Sequence, residues 1–207
     1  MSLQASPLNW EPPAAQELLR WPVPYQSLVN RCLLRGVSVL ARGRVLAMSG
    51  LQHVRPGLDP FILAVNHNTR TEALLVPALI MLHRGGRQIH FMADWNFRLI
   101  PGIGLIYRRA GAITVTAKPA RPRVLNAFRP FYRHSRSVLE RARFCLAHGK
   151  SIGIFPEGTI NRDPCRLLAG RRSAALLSLE TGVPVAKTTA LARTRKRGCS
   201  ARPGCCG

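Results

Sequence analysis

A histidine and an acid five positions apart, His67 and Glu72, sit between two apolar runs. Residues 61–65 (Phe-Ile-Leu-Ala-Val) form a short continuous apolar stretch suited to a buried strand, and 71–83 reads as a helix. The chain between them is Asn66-His67-Asn68-Thr69-Arg70-Thr71-Glu72. Parallel α/β sheets place ligands at the carboxyl ends of their strands, so a polar cluster at this point falls where chemistry is expected. Thr69 or Thr71 can cap the helix, and Glu72 then lies in its first turn, where the helix dipole favours negative charge. A carboxylate beside one imidazole nitrogen fixes the tautomer and leaves the other nitrogen to take a proton, which is a general-base arrangement. Taken alone, a histidine after a strand also fits a satisfied structural role.

A second cluster, Phe155-Pro156-Glu157-Gly158-Thr159, follows the strand candidate 151–155. Gly158 lets the backbone approach a ligand closely, while Glu157 and Thr159 offer an acceptor and a hydroxyl at the same rim. A plain strand-ending turn would also use Pro and Gly.

The elements that must position these residues alternate along the chain. Strand candidates fall at 61–65, 89–93, 112–115 and 151–155, and helix candidates at 71–83, 130–148 and 167–181, the last stopping at Gly182. Between the third strand and the helix after it runs a basic, Pro-rich loop with Lys118, Pro119, Arg121, Pro122 and Arg123. The pattern predicts an α/β fold with a central, mostly parallel sheet flanked by helices. An amphipathic basic helix precedes it over 25–50, with Leu28, Cys32, Leu33, Val37 and Leu40 on one stripe and Arg31, Arg35, Arg42 and Arg44 beside it. Such a stripe packs on the core or lies on an anionic bilayer. The expected domain plan is a Pro-rich arm over 1–24, one domain over 25–186, and a basic, Cys-containing disordered tail over 187–207.

Composition narrows the partners. The 207 residues carry 31 Lys plus Arg against 9 Asp plus Glu, a net charge of +22, with 46% hydrophobic residues, enough for one sizeable core. Such charge suits an anionic membrane surface, phosphorylated substrates or an acidic carrier protein. Nucleic acid is the rival partner, but zinc-finger spacing and aromatic residues interleaved with the basic run Arg193, Arg195, Lys196 and Arg197 are both missing. No specific nucleic acid is therefore expected. The 6 Cys are irregularly spaced and read as reduced thiols without a metal site. No apolar run reaches the length of a membrane span, and the first residues lack the pattern of a secretion signal. The expected location is cytoplasmic, peripheral on the inner face of the membrane.

Taken together, Asn66-His67-x4-Glu72 and Phe155-Pro156-Glu157-Gly158-Thr159 resemble the paired motifs of the glycerolipid acyltransferase family, enzymes of the 1-acylglycerol-3-phosphate acyltransferase type. Met92-Ala93-Asp94, Ile100-Pro101-Gly102-Ile103-Gly104 and Gly111-Ala112-Ile113 follow in the family's order, and the resemblance spans 61–185. It implies transfer of a fatty acyl group from acyl-CoA or acyl carrier protein to a glycerophospholipid precursor such as lysophosphatidic acid, with no tightly bound cofactor. His67, held by Glu72, would be the base. Asn66 would orient the loop, and Glu157, Gly158 and Thr159 would shape acceptor binding.

The family's usual Asp is Glu72 in this chain. Its usual phosphate-gripping Arg positions are Ala117 and Ile160, so Lys118 and Arg162 are the neighbouring cations expected to supply that charge. Members usually continue past the segment matched by Gly182-Val183-Pro184-Val185 into further strand and helix. The residues after Ala186 are accordingly expected to be foreign to the fold, as in a truncated or frame-shifted reading that leaves an unpaired strand edge. The alternative function on this view is an inactive, lipid-binding remnant.

Overall fold

The computed structural model describes residues 10–66, 71–120, 122–158 and 169–192. Six strands, β1 (Val45–Ser49), β2 (Ile62–Val65), β3 (His90–Asp94), β4 (Ile113–Val115), β5 (Ile152–Ile154) and β6 (Val185–Ala192), form one sheet in the order β1-β6-β2-β5-β3-β4. All neighbouring pairs are parallel except β1 with β6. Helices α1 (Ala15–Arg20), α2 (Leu28–Arg42), α3 (Glu72–His83), α4 (Ile103–Arg109), α5 (Val138–Ala147) and α6 (Ser173–Thr181) flank it. This is the α/β fold with a mostly parallel sheet that the alternation implies.

Each face of the sheet has its own core. Val37 of α2 and Leu75, Val76 and Leu79 of α3 pack against Leu63, Val65 and Phe91 on one side. Ala142 and Leu146 of α5 and Leu177 of α6 pack against Ile62, Ile152 and Ile154 on the other. Helix α3 is buried around nearly its whole circumference, as its uniformly apolar sequence requires. Gly153 leaves room for the Phe91 ring to cross the central strands, because a Cβ there would lie 2.5 Å from ring atoms.

Several expectations need correction. The helix expected over 25–50 ends at Arg42, and the chain then turns into β1. Its inward face is Leu34, Val37, Ser38 and Ala41, whereas Leu28, Cys32 and Leu40 of the expected stripe are exposed. The reason lies in the partners: Arg35 reaches back to the Trp21 carbonyl at 2.7 Å, and Ser38 satisfies its hydroxyl on the Leu34 carbonyl at 2.8 Å and so can be buried. The arm expected over 1–24 contains α1, whose Leu18 is fully buried against Val23 and Leu82. The helix expected over 130–148 begins only at Val138. Residues Arg123–Tyr132 form a 3-10 segment, and a capping box of Ser137 with Glu140 starts α5 afresh. The segment after β3 holds an unforeseen helix, α4.

The largest correction concerns the end of the domain. Residues 187–192 are not a disordered tail: they continue β6, which lies inside the sheet between β1 and β2. Val185 pairs with Ile62 and Thr188 with Val65, while Thr189 faces Ser49 and Ala190 faces Met48. The expected unpaired edge is therefore filled. Beyond β1, Trp10 forms an antiparallel bridge to Met48, with bonds of 2.7 and 2.8 Å. Residues 193–207 lie outside the described residues.

Candidate active site

Strands β2 and β5 are hydrogen-bonded neighbours running in the same direction, with Ala64 opposite Ile154. The chain leaves β2 at Val65–Asn66 and β5 at Phe155–Pro156, so both polar clusters emerge side by side on one edge of the sheet. His67, Thr159 and Arg162 lie outside the described residues, but the residues that lead into and out of them are placed.

Asn66 anchors the exit of β2, immediately before His67 in the chain. Its Oδ1 accepts from the Ala190 N–H at 3.1 Å and its Nδ2 donates to the Ala190 carbonyl at 3.4 Å. The side-chain amide thereby extends the pairing of β2 with β6 one step beyond the strand. Six residues further along the chain, Glu72 is the first residue of α3 and only 2% exposed. A carboxylate so deeply set is favoured by the helix N-terminus and needs hydrogen-bond partners.

The second turn is equally held. Gly158 adopts φ +60°, and its N–H donates to the Phe155 carbonyl at 3.0 Å. That N–H is therefore committed to the turn itself. Lys118 Nζ donates to the Gly158 carbonyl at 2.7 Å, which brings the cation from the basic loop directly onto this turn. The Lys118 backbone is in turn fixed by the fully buried Trp95, whose indole N–H donates to the Lys118 carbonyl at 2.9 Å. Arg129 braces the same loop through the Thr116 and Ala117 carbonyls, with Nε 2.9 Å from the first and Nη2 3.3 Å from the second.

Arg171 completes the turn, and sequence reasoning missed it. Its N–H donates to the Pro156 carbonyl at 2.7 Å, and its guanidinium lies over Gly158, where a Cβ would fall 2.4 Å from Nε. The pair Arg171-Arg172 carries no spacing that marks it, and only the fold returns it to the second cluster. Trp95 gave no signal either, since a tryptophan after a strand reads as ordinary core.

An apolar groove starts beside Glu72. Ala73 and Leu74, then Pro77 and Ala78, form one wall on α3; Ile106 of α4 faces them, and Leu34 of α2 closes the groove. Tyr107 is buried here with its hydroxyl on the Ala73 carbonyl at 3.0 Å, and burial raises its pKa.

A family model described as Acyltransferase matches residues 46–188, which contain both turns, Lys118 and Arg171. The chain belongs to the acyltransferase family. No curated protein matches this acyltransferase chain. Its fold and family thus agree, and acyl transfer is the chemistry that its site has to serve. Among the described residues of this acyltransferase, no helix is long and apolar enough to cross a membrane.

Proposed function

We propose that this acyltransferase moves a fatty acyl group from a thioester donor to a hydroxyl of a glycerophospholipid precursor such as lysophosphatidic acid, at the shared edge of β2 and β5. The observation that carries this reading is the convergence of Lys118 and Arg171 on the Gly158 turn, next to the strand end from which His67 emerges. His67, oriented by Glu72, removes the acceptor hydroxyl proton as the oxygen attacks the thioester carbonyl. The tetrahedral intermediate collapses with cleavage of the carbon–sulfur bond, and the proton passes from the imidazole to the departing sulfur. No covalent enzyme intermediate is needed.

The acceptor phosphate binds at the second turn. An ammonium has three donors, and Lys118 uses one on Gly158, leaving two for phosphate oxygens. Arg171 supplies a planar, two-pronged partner from the other side. Glu157 shapes this rim, and Thr159 and Arg162 are assigned to the same acceptor as further ligands. The fatty chain lies in the groove along α3, against Leu74, Pro77 and Ile106. Leu105, next to Ile106 on α4, is 40% exposed and does not line the groove.

Docking on an anionic membrane is part of the same reading. The 3-10 segment Arg123–Tyr132 exposes Val124 (74%), Phe128 (50%) and Phe131 (82%), and Arg123 and Arg133 flank them. Apolar side chains ringed by arginine fit a surface of anionic lipid headgroups.

The test is acyl transfer by the full chain from a coenzyme A thioester to lysophosphatidic acid. His67→Ala should lower kcat by roughly 10² to 10⁴. Lys118→Ala should raise KM for the phosphate-bearing acceptor about tenfold or more, with less effect on a neutral monoacylglycerol. A His67→Ala enzyme as active as the unaltered chain would overturn the reading.

A further inference from the structure

The first turn of α3, which begins with Glu72, lacks one of its backbone bonds. In an α-helix each carbonyl accepts from the N–H four residues on, so the Ala73 carbonyl would take the N–H of residue 77. Residue 77 is a proline inside the helix and has no N–H to give. A proline ring also crowds the carbonyl four positions back, which kinks the turn to which that carbonyl belongs. Ala73 is buried, so water has little access to replace the missing donor.

Tyr107 of α4 supplies that donor. Its hydroxyl donates to the Ala73 carbonyl at 3.0 Å, and the side chain is buried. Burial raises the pKa of the phenol, so it stays a donor over the whole range in which an imidazole titrates. The tyrosine is itself fixed at both ends. Its ring stacks on Phe97, from the segment after β3, with centroids 5.4 Å apart and planes 21° apart. Its backbone carbonyl accepts from the Ala112 N–H at 3.0 Å, where the chain turns into β4.

Glu72 lies between two fastened carbonyls. On one side the Thr71 carbonyl accepts from the N–H groups of Leu74 and Leu75, at 3.1 and 3.0 Å. On the other, the Ala73 carbonyl is held by a side chain from a different element. A released Ala73 carbonyl would let the peptide next to Glu72 turn, and the carboxylate would turn with it.

We propose that Tyr107 is a positioning residue for Glu72, its hydroxyl replacing the helix bond that Pro77 removes and so fixing the first turn of α3. The proposal rests on the acyl-transfer reading above, in which Glu72 orients His67, and adds the pair of residues that sets Glu72. Tyr107 acts through the helix and takes no proton in the reaction.

The experiment is a double-mutant cycle on the full chain. Tyr107→Phe removes one oxygen, and Pro77→Ala gives the Ala73 carbonyl a backbone donor of its own. Each variant is assayed for acyl transfer across pH, its His67 imidazole is titrated by NMR, and a thermal melt checks that it is folded. A carboxylate held beside an imidazole raises the imidazole pKa, so a loosened Glu72 lowers it. Tyr107→Phe should lower kcat about tenfold with little change in acceptor KM. It should also move the acidic limb of the kcat profile, and the His67 titration with it, to lower pH. On the Pro77→Ala background the same change should cost less than about threefold in kcat and leave the His67 titration in place. The amide of residue 77 in that double variant should be protected from hydrogen exchange. A Tyr107→Phe chain with kcat within about twofold of the unaltered one overturns the proposal. So does a fall in kcat with no movement of the His67 titration, which a plain loss of stability would give, or an equal fall on both backgrounds. The His67 titration needs no turnover. A chain without acyl transfer whose titration falls in Tyr107→Phe and returns in the double variant would therefore refute the reaction and leave the positioning role standing.

Discussion

Asn66 and Ala190, 124 positions apart, are joined through both ends of one side-chain amide. The exit of β2, one residue before His67, is therefore tethered to β6 and not merely to the strand that precedes it. Ala190 is only 3% exposed, so its N–H and carbonyl have little water to turn to if the amide is removed. Asn66→Ala should cost about 1–3 kcal/mol and deprotect the Ala190 amide in hydrogen exchange. Asn66→Asp should restore little, because it sets a carboxylate oxygen against the Ala190 carbonyl. An Asn66→Ala chain with native exchange at Ala190 would count against the tether.

Gly158 offers a second test. Its φ of +60° disfavours any other residue, and a Cβ would press on the Arg171 guanidinium. Gly158→Ala should destabilise the chain by about 1–2 kcal/mol. It should also raise KM for a phosphate-bearing acceptor more than it lowers kcat, since the proposed role of the displaced group is to bind and not to react. Steady-state kinetics separates the two.

Part of this site is legible in the residues themselves. The apolar runs at 61–65 and 151–155 announce β2 and β5, and polar residues at their carboxyl ends announce a ligand edge. Strand β6 is hidden because Lys187, Thr188 and Thr189 interrupt its apolar character, and its place between β1 and β2 is decided by pairing far along the chain. The start of α5 was readable in Ser137-x-x-Glu140, a capping signature overridden by the longer apolar pattern around it. Trp95 and Arg171 act only through approach in three dimensions, which local spacing does not encode.

Asp59 anchors the opposite edge of the sheet. It accepts from Arg84 at 2.7 and 2.8 Å, pairs with Arg87 at 2.7 Å and accepts from the Ser151 hydroxyl, while Arg84 has no exposed side-chain surface. Asp59→Ala leaves that guanidinium buried without its counter-charge and should cost about 3–5 kcal/mol in denaturant unfolding. The double variant Asp59→Ala/Arg84→Met should lose less than the sum of the single changes.

His83 makes stability depend on pH. Burial, then Arg55 and Arg84, hold its pKa below the ordinary 6.5. The unfolded chain binds the proton first, so this contribution is full above about pH 6.5 and is lost as pH falls below that value. His83→Gln should therefore narrow the difference in unfolding free energy between pH 7 and pH 5. An unaltered slope would show that other groups set it.

The interior position of β6 carries a consequence for assembly. Residues 45–66 cannot complete their part of the sheet until a segment more than a hundred positions downstream has been made and threaded between β1 and β2. Pairings so distant in the chain form slowly. Because Asn66 waits for Ala190, the exit of β2 is set only when that late strand arrives, and this corner of the sheet is among the last parts of the folding chain to settle.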